Sequence, residues 1–89
     1  MAMVNEDTLN EEARYTRKEI LRFLDGPTTE WDWGDFISTP LKTPYLNAIR
    51  IICRDLPDFF LPPKGSQFYC SDEGYALLRI LAERFVPVK

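Results

Sequence analysis

Apolar residues recur at near-helical spacing over three stretches of the chain, and turn-forming residues separate the stretches. Leu9, Ala13, Ile20 and Leu24 fall close to one 3.6-residue stripe. Thr8 followed by Glu11 has the spacing of a capping box, and Asp25-Gly26-Pro27 is a stop signal, so a first helix is predicted from about Leu9 to Leu24. Leu46, Ile49, Cys53 and Leu56 form a second stripe, widened by Tyr45 and Ile52, behind a Thr43-Pro44 start signal. On that helix Asn47, Arg50 and Arg54 are expected to face water, and Pro57 to close it. Ser71, Asp72 and Glu73 open a third helix, whose inward stripe is Tyr75, Leu78, Leu81, Ala82 and Phe85, broadened by Leu77 and Ile80.

The connectors differ in character. Thr28 or Thr29 is placed to cap a short helical turn over residues 29–37, with Glu30 and Asp32 near the positive end of its dipole, and Gly34 argues against a long helix there. Residues 57–67 are too rich in proline for a helix interior or a central strand. They form a crossing loop in which Phe59, Phe60 and Leu61 are expected to lie over the core as a lid, with Phe59 or Phe60 also open to contact with a partner. Convincing period-two alternation and internal repeats are missing. The expected fold is therefore all-α: a compact three-helix domain with one extra helical turn and aromatic, proline-rich loops. Residues 1–7 read as a flexible N-terminus and 8–89 as a single helical domain.

Composition narrows the function. At 89 residues with 45% hydrophobic content, the chain suits one modest core rather than a disordered segment. Its formal charge, 11 − 14 = −3, favours a basic partner over nucleic acid, because neutralising phosphate requires an excess of cations. No segment approaches the ~20 apolar residues of a membrane span. The first residues carry neither a basic n-region nor an apolar h-region, so a cytoplasmic location is expected.

The chain contains no histidine, which removes Ser-His and Cys-His catalysis and Cys-His zinc sites from consideration within it. Cys53 sits on a core stripe and reads as a small buried hydrophobe. Cys70 precedes a helix start, where unpaired N–H groups can lower a thiol pKa, although a structural role is favoured. Glu30, Asp32 and Asp35 lack the alternating ligands and terminal glutamate of a calcium loop, so neither a metal nor a cofactor is expected. The scattered glycines make no phosphate cradle, and the chain is read as a non-enzyme.

What stands out is Asp25–Phe36, which holds both tryptophans and four carboxylates within a run free of lysine and arginine from Arg22 to Lys42. Rings supply contact area and carboxylates supply steering, which together suit a basic protein partner. Trp33, Phe36 and Ile37 share one helical face and read as core, whereas Trp31 reads as evenly as core or as an interface anchor. The candidate partner-binding residues are Glu30, Trp31, Asp32, Asp35, Phe59 and Phe60. The expected function is a non-catalytic protein-binding module of the inhibitor or immunity type. Its alternatives are a structural, oligomerising module using Phe59, Phe60 and Leu61, and a nucleic-acid accessory protein using Arg14, Lys18 and Arg22 on helix 1. Same-helix pairs with Glu11, Glu12 and Glu19 weaken the second, each pair contributing only ~0.2–0.5 kcal/mol.

Trp31-Asp32-Trp33-Gly34-Asp35-Phe36-Ile37-Ser38, with Pro44, Leu56-Pro57 and Tyr69-Cys70-Ser71-Asp72-Glu73-Gly74 downstream, resembles short bacterial proteins that carry a W-D-W-x-D-F segment and a Y-C-x-x-E-G segment. The resemblance spans about residues 30 to 82. It implies a self-contained bacterial domain and attaches no activity or site residue.

Overall fold

Four α-helices follow one another in the computed structural model: α1 (Glu6–Asp25), α2 (Glu30–Ser38), α3 (Pro44–Phe59) and α4 (Asp72–Ile80), with α4 running into a π-helical turn at Leu81–Phe85. The structure describes residues 5–26 and 30–87, and the side chains of Glu30 and Trp31 lie outside that description. No strand occurs among the described residues, so the all-α class holds. The stretch expected as a single turn is instead a nine-residue helix, which makes four α-helices rather than three among the described residues. The caps assigned to Thr28 and Thr29 fall outside the described residues.

Helix α1 begins earlier than its capping-box signal suggests. Asn5 is the N-cap, its Oδ1 accepting from Thr8 N at 2.7 Å, so the residue expected to cap is itself capped and residues 5–7 belong to the helix opening. Asn competes as well as Thr for this role, which is why position alone did not decide it. The inward face of α1 carries Ala13, Thr16 and Ile20, each fully buried.

Glu12 then reaches across to the start of α3. Its carboxylate accepts from Lys42 N and Thr43 N, each at 2.8 Å, and from the Thr43 hydroxyl at 2.6 Å. Two orphan donors ahead of α3 are thus satisfied by a side chain 30 residues upstream rather than by a local cap.

Pro57 does not close α3, which continues to Phe59. A proline inside a helix has no N–H for the carbonyl four residues back, here that of Cys53. The Tyr69 hydroxyl donates to the Cys53 carbonyl at 2.8 Å, with a longer contact to the Arg54 carbonyl at 3.2 Å, and so replaces the missing bond. Tyr69 is itself held by its backbone N–H donating to the Tyr75 hydroxyl at 3.0 Å.

Nor does Arg50 face water. It is buried, donating from Nε to Asn47 Oδ1 at 2.8 Å and from a terminal nitrogen to the Ile37 carbonyl in the last turn of α2. Asn47 is half-buried and also accepts from Leu41 N. A cation at the negative end of α2, which has no basic residue of its own, ties the two helices together.

The core gathers Phe36 from α2, Leu46, Cys53 and Leu56 from α3, and Leu78 and Ala82 from the C-terminal segment around the α1 stripe. Burying a side chain such as Leu56 contributes about 1.5–3 kcal/mol. The expected lid does not form: Phe59 is 76% exposed and Leu61 73%, and only Phe60 packs on the core. Phe60 is pinned because its backbone N–H donates to Leu56 and its carbonyl accepts from Ser71 N at 2.9 Å, which turns its neighbours outward. Phe85, expected inward, is half-exposed, and Val86 is buried instead. The Val86 N–H reaches back five residues to the Leu81 carbonyl at 2.9 Å, a wider turn that inserts one residue and rotates Phe85 out.

Candidate functional site

The acidic, aromatic segment foreseen at Asp25–Phe36 splits across the two sides of α2. On the inward side Trp33 and Phe36 are buried as expected, with Ile37 half-buried beside them. The Trp33 ring stacks on Phe23 at 4.0 Å between centroids with a 10° interplanar angle, and Tyr69 meets both rings edge-on at 5.3 and 5.9 Å. This cluster explains the placement of Tyr69 beneath Pro57, because the same ring that packs on Trp33 presents its hydroxyl to the Cys53 carbonyl. Burial pushes the Tyr69 phenol up to about 12, while the neighbouring indole N–H of Trp33 opposes that shift without reaching hydrogen-bond geometry. Beside the cluster lies a shallow recess of about 420 Å³ bounded by Trp33, Gly34, Gln67, Phe68 and Tyr75.

On the outward side Asp35 is exposed and has no ion-pair partner among the described residues. Asp32 is partly shared, its Oδ2 lying 3.2 Å from the Arg22 guanidinium. The same guanidinium sits 3.7 Å from Glu19, a buried carboxylate one turn earlier on α1. Arg22, read from the sequence as part of a basic face, is thus turned into the acidic surface, leaving Arg14 and Lys18 exposed on that face. The row is broken by the fold as well as by its intervening glutamates.

Tyr15 is the residue the sequence did not single out. It is 38% exposed on α1 and packs edge-on against Phe36 with centroids 5.7 Å apart. Its phenol is pushed up first by burial and then by the charges of Glu19, Asp35 and Asp32. One ring from α1 therefore sits among carboxylates from both helices, an arrangement no local window of sequence contains. On α1 Tyr15 stands four residues before Glu19, but only the crossing of α1 and α2 brings it to Asp35.

Of the remaining candidates, Phe59 is the most exposed and lies at the far end of α3, whereas Phe60 is held against the core. Glu30 and Trp31 open α2 by backbone alone, and their side chains lie outside the described residues. Both cysteines are free and buried; burial pushes the Cys53 thiol up to about 12 and that of Cys70 to about 11. Desolvation of the thiolate moves Cys70 in the direction opposite to the lowering that a helix opening at Ser71 can give. No group of three or more Cys, Asp and Glu residues suited to a metal ion occurs among the described residues. No described helix is long and apolar enough to cross a membrane.

No family model, curated protein or solved structure matches the chain.

Proposed function

We propose that the chain is a non-catalytic protein-binding module whose α1–α2 face receives a basic partner, in the manner of a small inhibitor or immunity protein. The observation that supports it is Tyr15, a half-exposed aromatic ring flanked by Asp32 and Asp35 and next to a helix with no basic residue. An aromatic ring contributes contact area at low entropic cost, and the carboxylates orient an incoming lysine or arginine. Asp35 exerts the larger field, since Asp32 is partly neutralised by Arg22. Glu30 and Trp31, singled out from the sequence for the same role, open this helix, and their side chains lie outside the described residues.

Association kinetics with a partner recovered from the native host test the proposal. Reversing Glu30, Asp32 and Asp35 to lysine slows association and raises Kd, and Asp35→Lys alone does more than Asp32→Lys alone. Added salt diminishes both effects, as for any steered encounter. An affinity unchanged in the triple variant would refute the assignment.

A further inference from the structure

Helix α3 carries a second apolar stripe that the monomer leaves uncovered. Tyr45 is 52% exposed, Ile52 41% and Phe59 76%, and they lie seven residues apart, with exposed Ala48 between the first two. Positions seven apart drift by only ~20° on a helix, so the three side chains form one line about 21 Å long. Leu61, two residues beyond Phe59 in the chain, is 73% exposed as well. The ion pair on this helix, between Arg54 and Asp55 at 2.9 Å, is internal to it, whereas exposed Asp58, next to Phe59, has no ion-pair partner among the described residues.

The geometry points to a homodimer in which this stripe packs antiparallel against the same stripe of a second copy, with the two-fold axis at Ile52. Two features select a second copy over an unrelated partner. Tyr45 and Phe59 are equidistant from Ile52, so an antiparallel copy sets Tyr45 against Phe59 twice and Ile52 against Ile52. Such a surface is complementary to itself and closes at two subunits. Ala48, beside the axis, lets the helices approach closely, and the paired rings gain edge or offset contacts.

Charge selects the same orientation. Exposed Asp58 lies in the last turn of α3, where there is no basic residue, and exposed Lys42 lies just before the first turn, which holds no acidic residue of its own, the Glu12 carboxylate reaching its N–H groups from α1. An acid at the negative end of a helix is unfavourable in the monomer. An antiparallel copy brings Asp58 to the partner's positive helix end and its Lys42, whereas a parallel copy sets like ends together. The dimer uses none of the acidic residues assigned to the basic partner, so it stands or falls separately from that assignment.

Sedimentation equilibrium of the purified full chain, from micromolar to millimolar concentration, reads the outcome directly. The mass should rise from one chain to two. Ile52→Lys places two like charges at the axis and should hold the protein at one chain with an unaltered helical circular dichroism spectrum; Phe59→Ser provides a second disruption at an exposed position. Lys42→Asp or Asp58→Lys alone should weaken the dimer about tenfold, since each contact occurs twice, and the two together should restore it. A mass fixed at one chain, a dimer that survives Ile52→Lys, or a double exchange no better than either single one overturns the proposal. Capture of a different protein by this face while the chain itself stays monomeric does so too.

Discussion

The two stripes of α3 are both apolar and opposite in fate. Leu46, Ile49, Cys53 and Leu56 are buried against the other helices, while Tyr45, Ile52 and Phe59, from the same sixteen residues, face outward. Read along the chain they merge into one broad apolar surface, and only the packing of α1, α2 and α4 divides them. Inward positions hold the fold together; outward ones leave hydrophobic area whose removal changes little in the monomer. A helix apolar over much of its circumference has more apolar surface than the other helices of this chain cover.

The sharpest way to break that contrast is to truncate both stripes. Leu56→Ala should cost about 2–5 kcal/mol, as large-to-small changes in packed cores do, whereas Ile52→Ala should stay within about 1 kcal/mol in the dilute monomer. Urea unfolding of the two variants measures both, and equal losses would mean that the stripes are not distinct.

Next comes the hydroxyl that lets α3 pass through Pro57. Tyr69→Phe leaves the Cys53 carbonyl without its donor and should cost about 1–3 kcal/mol. It should also speed amide exchange at Phe59 and Phe60 in the last turn. Because burial raises the folded phenol to about 12, its contribution is whole below the unfolded value near 10 and is lost as pH rises through 12. The variant should therefore lose that part of the alkaline destabilisation, while the two raised thiols, present in both proteins, keep theirs. A Tyr69→Phe protein with the parent's alkaline profile would remove the tyrosine from this role.

A third perturbation acts where the C-terminal end of the inner stripe meets α4. A Cβ placed on Gly74 would come within 2.7 Å of Cys70 Sγ and 3.0 Å of Phe60 Cβ, so Gly74→Ala should destabilise by about 1–3 kcal/mol despite its better helix propensity. Thermal unfolding that shows stabilisation instead would indicate that Phe60 is held less firmly than its packing implies.

The smallest expected effect lies at the other end of α3. Burial would raise the Glu12 pKa, but the Thr43 hydroxyl, the N–H groups of Lys42 and Thr43, and the Lys42 charge together bring it below the ordinary value. A carboxylate depressed on folding stabilises fully above its unfolded pKa, about 4.3, and that contribution vanishes as pH falls through the folded value. Glu12→Gln should be less stable by about 1 kcal/mol at neutral pH and should converge on the parent in acid. Parallel pH profiles for the two proteins would argue that Glu12 caps nothing.

Much of the fold was legible because its signals are local. The stripe of Leu46, Ile49, Cys53 and Leu56, the Pro44 start and the Ser71 opening each depend on neighbours within one or two turns. Two of the misreadings have a partner distant in sequence. Arg50 looked solvated because the Ile37 carbonyl thirteen residues away was invisible, and Pro57 looked terminal because Tyr69 was. Phe85 was placed inward because an α-helical period was carried through a turn that is π-helical. At the candidate site, Asp32 and Asp35 announced themselves by composition, but Tyr15 became visible only when α1 crossed α2.

By itself, then, the sequence determined that this is a helical protein with an acidic, aromatic segment and two cysteines, since periodicity, charge and residue count are properties of the chain alone. Tertiary structure decided which apolar residues are core and which remain open, which cations are spent inside, and that Tyr15 joins Asp32 and Asp35. The physical reason is that burial and hydrogen-bond satisfaction are properties of pairs brought together by folding: a helix fixes which residues share a face, and only its neighbours fix which face is covered.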